Sequence, residues 1–255
     1  MPQETINLNE NVNLNGFTVL FPSVCVGNAA QLAVDLIIST LTMRKVAIVW
    51  HPAIIPVLGP RAFEHQIIAD PSSPLNNITT ACELFISESK RLACFQLRSP
   101  LVAGDKLNAF FDDVITFLKE QKIQRFIILT GSFAHEQHHI GASKYVYLPN
   151  EQFKNEIKLD SETLNWNEWD QTKNLIHGGG FAMKFFKRIN QIIPSCIFFK
   201  YISEGDNRSD AVDIIQQLHA IINELYTSDE NGQNHLKIPV SWKAMFGNEP
   251  TEQLY

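Results

Sequence analysis

Phe17-Thr18-Val19-Leu20-Phe21-Pro22, then Val26-Gly27-Asn28-Ala29-Ala30-Gln31-Leu32-Ala33-Val34-Asp35-Leu36-Ile37-Ile38-Ser39-Thr40-Leu41, then Val46-Ala47-Ile48-Val49-Trp50, is the stretch on which the fold turns. The run 17–21 is short, mostly apolar and closed by a proline, the pattern of a buried strand. Residues 24–27 read as a turn, and Asn28 is placed to cap a helix running to about Met43. The run 46–50 is a second strand. A strand, a helix and a strand in succession predict an α/β fold, with a central sheet covered by helices on both faces.

The helix in this stretch is more apolar than a surface helix. Its polar residues Asn28, Gln31, Asp35, Ser39 and Thr42 fall three or four apart and make one narrow stripe, while Leu32, Leu36 and their neighbours cover the rest. Two readings follow: a helix buried in the middle of one sheet face, or a helix whose outer face, with Leu32 and Leu36, is covered by another protein chain.

The alternation continues outward. Residues 83–87 and 92–97 read as a strand pair joined by the turn 88–90. Asp105 is placed to cap an amphipathic helix to Lys119. Residues 126–129, 145–148 and 196–202 read as strands, 181–193 as a basic amphipathic stretch, and Asp206 or Asn207 as the cap of a helix reaching about Tyr226. Trp242 and Phe246 anchor the end of one domain spanning 1–247, and 248–255 is a polar tail that reads as flexible.

Composition bounds the function. The 255 residues carry a net charge of -6, with 45% hydrophobic and 19% charged residues, which suits a substantial core and gives no basic footprint for nucleic acid. Cys25, Cys82, Cys94 and Cys196 form no Cys-x-x-Cys pair and read as reduced thiols. Residues 1–15 lack the apolar core of a signal peptide, and no apolar run approaches the ~18 residues of a membrane span. These features predict a cytoplasmic or nuclear protein.

The candidate chemistry is sparse. His135-Glu136-Gln137-His138-His139 matches His-Glu-x-x-His, which on a helix binds zinc. Here it follows a strand and runs into Ile140-Gly141 with little room for that helix, so it reads as a solvated loop and no metal is expected. Gly131-Ser132 lacks the flanks of a nucleophile elbow. The loops 25–28, 130–132 and 203–207 each follow a strand, and between parallel neighbours they converge on one crevice. Their single glycines and the carboxylates of Glu204 and Asp206 suit helix capping better than phosphate binding. Gly178-Gly179-Gly180 reads as a plain connector, and Lys184, Lys187 and Arg188 as a solvated helix face.

Several blocks, in order along nearly the whole chain, resemble the proteasome assembly chaperone family. They are 16–20 with Pro22 and Val24, Val26-Gly27-Asn28, 31–33 with 35–41, Phe95-Gln96-Leu97-Arg98-Ser99, Leu164-Asn165-Trp166, Gly178 to Gly180, Ser203-Glu204-Gly205-Asp206-Asn207 with Asp210-Ala211, Lys237-Ile238-Pro239, Ser241-Trp242 and Phe246-Gly247. The resemblance implies an α/β fold similar to nucleoside phosphorylases and related hydrolases, without catalytic residues or a cofactor. It implies a heterodimer with a second member, proteasome assembly chaperone 1. That pair binds proteasome α-type subunits on the outer face of the α ring, promotes α-ring formation and blocks wrong ring dimers. Tails of such chaperones enter pockets between α subunits through a hydrophobic-tyrosine-any ending. This chain ends Gln253-Leu254-Tyr255, with tyrosine last, and Leu254 and Tyr255 remain its candidate docking residues. The competing reading is an enzyme of nucleoside phosphorylase or hydrolase type using the strand-end crevice.

Overall fold

The computed structural model describes residues 5–8, 12–64, 78–138, 142–157, 166–170, 172–222, 225–228 and 234–245. In chain order the elements are β1 (Thr18–Pro22), α1 (Ala29–Thr40), β2 (Arg44–Ile48), β3 (Leu58–Pro60), β4 (Ile78–Thr80), β5 (Cys82–Ser87), β6 (Leu92–Leu97) and α2 (Asp105–Glu120). They continue with β7 (Arg125–Phe133), β8 (Tyr145–Pro149), α3 (Glu151–Glu156), β9 (Asn167–Glu168), α4 (Ala182–Ile189), β10 (Ser195–Ile202), α5 (Arg208–Leu218), β11 (Thr227–Ser228) and β12 (Asn234–His235).

Eight strands form one sheet in the order β2-β5-β6-β1-β7-β10-β8-β9. Its centre, β6-β1-β7-β10, is parallel. On one flank β5 returns antiparallel to β6 and β2 antiparallel to β5, and on the other β8 runs antiparallel to β10. The α/β class expected from the sequence is the one observed.

Side-chain alternation along each central strand builds two cores. Val19, Phe21, Phe126, Ile128, Ile197 and Phe199 face α2 and α4. Leu20, Ile127, Leu129, Cys196 and Phe198 face α1 and α5. The first core is aromatic: Phe21 lies within 4.9–6.4 Å, ring centre to ring centre, of Phe95, Phe110, Phe126, Phe181 and Phe185. Phe111 of α2 stacks on Phe185 of α4 at 4.3 Å, which fixes the two helices to each other. Burying each such ring contributes roughly 1.5–3 kcal/mol.

The covering of α1 decides between the two readings of that helix. Every residue from Ala29 to Ser39 is buried. The cover is intrachain: Ala62 and Phe63, Ile214 and Ile215 of α5, and Trp242 belong to the same core cluster. The expectation that Leu32 and Leu36 face a partner chain is therefore corrected, since they are 9% and 1% exposed within the lone chain. The polar stripe is buried as well. Asp35 receives both terminal nitrogens of Arg98, at 3.1 and 2.5 Å, together with the Gln96 amide. Gln96 also donates to the Gln31 carbonyl at 3.1 Å. These contacts join the block 31–41 to the block 95–99.

Other boundaries shift for local reasons. Asn28 does not cap α1, because its backbone is left-handed at φ 51° and its side chain makes no capping bond. Gly104 rather than Asp105 holds the cap position of α2. Strand β2 ends at Ile48, and α5 ends at Leu218 instead of near Tyr226. Residues 246–255, with Phe246, Leu254 and Tyr255, lie outside the described residues.

Candidate functional site

The carboxyl ends of the parallel neighbours β1, β7 and β10 lie at one edge of the sheet, so the three loops expected to converge do meet. The crevice between them is filled from within. The segment 177–181 crosses the strand ends, and its carbonyls take up their donors. Val26 N donates to Gly178 O at 2.8 Å. The hydroxyls of Ser23 and Thr130 both donate to Gly179 O at 2.9 Å, and Ser132 donates to His177 O at 2.9 Å. Phe181 N in turn donates to the Ser23 hydroxyl at 3.0 Å.

The three glycines are thus corrected from a plain connector to a tightly seated plug. Gly180 has φ +59°, and a Cβ there would stand 2.1 Å from Val24 O and 2.6 Å from Ser23 Oγ. Only glycine combines that conformation with that approach. Ser132 is buried with its hydroxyl committed to a backbone carbonyl.

Beside the plug, the Cys25 thiol lies against the backbone of Ala29, Ala30 and Gly131 and the hydroxyl of Thr130. Burial pushes it up to about 11 despite those hydrogen bonds, so it stays a thiol at neutral pH. It occupies the amino end of α1, where a nucleotide-binding fold of this topology would place a phosphate. Cys82, Cys94 and Cys196 are also buried and free, and burial raises each of them.

The motif 203–207 closes the other side. Asn207 is 3% exposed, and its amide nitrogen donates to Ser203 O and to Asp210, both at 2.8 Å. A Cβ on Gly27, itself at φ +61°, would stand 2.2 Å from Asn207 Oδ1. Two family blocks separated by about 180 residues in sequence therefore touch at Gly27 and Asn207. Glu204, Gly205 and Asp206 lie on the exposed side of the same turn.

The capping expectation is corrected in detail. Asn207 stands at the cap position of α5 without accepting a capping bond, and its amide donates instead. Asp206 accepts from Arg208 N at 3.2 Å and pairs with its guanidinium, which holds the Asp206 carboxyl below its usual range. Replacing Asn207 by alanine is expected to lower stability by about 1–2 kcal/mol through two lost, partly buried hydrogen bonds. The exposed Asp206→Ala change should leave stability nearly unchanged, since its pairing with Arg208 is open to solvent. Chemical denaturation ranks the two, and the opposite order would put the structural weight on Asp206.

Behind Asn207, Lys200 of β10 is buried and bonds Asp210 at 2.7 Å and Asp213 at 2.5 Å. Burial alone would lower the Lys200 ammonium, but the two carboxylates outweigh it and hold the group above its usual value. This polar knot ties β10 to α5.

The remaining sequence candidates lie apart from this edge or at its rim. His135 and Glu136 sit on a single 3-10 turn, Ala134–Glu136, rather than on a helix. The His135 ring stacks on Phe133, and Glu136 stands 3.8 Å from His135 and 4.0 Å from His138. His139 lies outside the described residues. Arg188 pairs with Asp112 of α2, and Lys187 donates to Asn174 at 2.9 Å, so two of the three cations of the basic stretch are held within the chain.

Sequence reasoning missed an apolar surface. Trp50, Ile55, Val57 and Leu58 are 51%, 42%, 44% and 67% exposed, and Val102, at 37%, joins them. The two segments are bound by the Ile54–Leu101 bridge and by Val102 N donating to Ala53 O at 2.7 Å. Five large apolar side chains on the segment 50–58 and at position 102 are a concentration that solvent alone does not favour. The available signal was apolar residues set between Pro52, Pro56 and Pro60, where no helix or central strand can bury them.

A profile of the PAC2 family matches residues 21–191. The chain belongs to the PAC2 family, as the blocks in its sequence implied. Among curated proteins it is similar to proteasome assembly chaperone 2 of Homo sapiens, at 27% identity over 92% of this chain and 94% of that protein. Proteasome assembly chaperone 2 of Nematostella vectensis is 27% identical over 88% of this chain and 98% of its own. Among solved structures, Pyrococcus furiosus PbaA, an archaeal homolog of proteasome-assembly chaperone, aligns with a TM-score of 0.58 at 12% identity, over 84% of this chain and 85% of that one. Pyrococcus furiosus PbaB, an archaeal proteasome activator, aligns with a TM-score of 0.58 at 13% identity, over 86% and 88%.

Proposed function

We propose that this chain is a proteasome assembly chaperone of the cytoplasm and nucleus that pairs with proteasome assembly chaperone 1. The pair binds α-type subunits, promotes α-ring formation and blocks off-pathway ring dimers. The observation that carries the reading is the filled crevice. Where an α/β enzyme of this topology binds its ligand, this chain seats its own Gly178 to Gly180, the Cys25 thiol and Asn207. The apolar surface around Trp50 and Leu58 then suits the work of a protein that acts by contact. Leu254 and Tyr255 belong to the proposal as α-subunit contacts.

Co-expression with chaperone 1 followed by affinity capture tests it. A one-to-one complex that buries at least ~1,200 Å² and retains α-type subunits is expected. A lone chain that binds neither partner would remove the reading. A melting temperature raised by nucleosides or ribose phosphate would favour the enzyme instead.

A further inference from the structure

A groove of about 450 Å³ opens between α5 and the 3-10 turn Val240–Ala244, on the face of the molecule that covers α1. Its apolar lining is Leu36, Val212, Leu236 and Ile238, beside Trp242, and Ile238 is 67% exposed, the same as Leu58. Trp242 is 5% exposed, yet its indole N–H is buried with no acceptor among the described residues. A buried donor left without an acceptor is unfavourable, and a ligand that brings an acceptor relieves it.

The charge at the groove has one sign. Arg208 and Lys243 line it, and among the described residues no carboxylate does. Arg208 is already paired with Asp206 at 2.5 Å. Lys243 is exposed and makes no ion pair among the described residues.

We propose that this groove docks a short acidic peptide segment of a partner protein. An apolar side chain of the segment would lie on Ile238 and Leu236, a carbonyl or carboxylate oxygen would accept the Trp242 indole N–H, and a neighbouring acidic side chain would pair with Lys243. The three demands fit one extended segment, because apolar and acidic side chains alternate in reach along such a chain. The surface is separate in sequence from the Trp50–Leu58 patch, and the inference does not rest on the proposed pairing or on proteasome binding.

The test uses the ¹⁵N-labelled full chain and three capped synthetic peptides: glutamates flanking Leu-Phe, lysines flanking Leu-Phe, and glutamates flanking Ser-Ser. The chain has four tryptophans, and Trp242→Phe assigns the indole signal of interest. The glutamate Leu-Phe peptide is expected to move the Trp242 indole signal downfield in a saturable way while leaving Trp50 in place. Ile238→Glu and Lys243→Glu, both at exposed positions, should each weaken that binding about tenfold or more. Equal binding of the lysine peptide, or no movement of the signal at millimolar peptide, would overturn the proposal. So would a shift of the signal, without peptide, in the full-length chain carrying Leu254→Ser and Tyr255→Ser, which would assign the groove to the chain's own carboxyl-terminal segment. No proteasome subunit or chaperone 1 enters the experiment, so its failure leaves the proposed function standing.

Discussion

A Gly180→Ala chain is expected to lose about 3–5 kcal/mol of stability, a large share of the roughly 5–15 kcal/mol that holds a typical domain folded. Two costs add. Alanine at φ +59° is strained in its backbone, and its Cβ would stand 2.1 Å from Val24 O, a main-chain atom that cannot rotate away. Relief requires residues 177–181 to lift off the strand ends, and lifting breaks the bonds from Ser23 and Thr130 to Gly179 O. Gly59→Ala is the control, because no atom lies within 4 Å of the added Cβ there and its φ is ordinary. Urea denaturation of the two variants beside the parent chain measures the difference. Equal midpoints would mean that the plug is not seated as described.

The second large effect concerns association. Under the proposed pairing, Trp50→Glu combined with Leu58→Glu should weaken binding to chaperone 1 by more than about 100-fold while leaving the melting temperature within a few degrees. The side chains are 51% and 67% exposed, so folding does not depend on burying them. A buried aromatic anchor and its neighbour nevertheless carry much of an interface's energy, and two introduced carboxylates oppose desolvation there. Isothermal titration with purified chaperone 1 gives the affinity, and calorimetry gives the melting temperature. Unchanged affinity would move the partner surface elsewhere on the molecule.

Much of the fold was legible in the sequence because its signals are local. The central strands are short apolar runs, and the spacing of Leu107, Phe110, Phe111, Val114, Ile115 and Leu118 marks α2, all six of which are buried. What covers α1 was not legible. An apolar helix looks the same whether a second chain or its own residues 62, 63 and 242 lie over it, and those residues come from distant parts of the chain. The capping of α1 was missed for a related reason. Asn28 has the right side chain, but Gly27 and Asn28 both turn left-handed, and the Cys25 thiol takes the amino end of the helix. At the candidate site, the meeting of the three strand-end loops followed from strand order. The role of Gly178 to Gly180 did not, since a bound glycine segment and a free one share a sequence.

The sheet order also sets a schedule for synthesis. The hairpin β5–β6 closes through a short turn and is ready as soon as residue 97 has emerged. Strand β1, made first, has no neighbour until then, because its two partners are β6 and β7. Its second partner is complete only at Phe133, and β7 in turn waits for β10, which ends at Ile202. Such non-local pairing slows folding and leaves the apolar run 17–21 and α1 uncovered while the chain is still on the ribosome. The chain would then be a late folder, exposed to capture by general chaperones until its last central strand is in place.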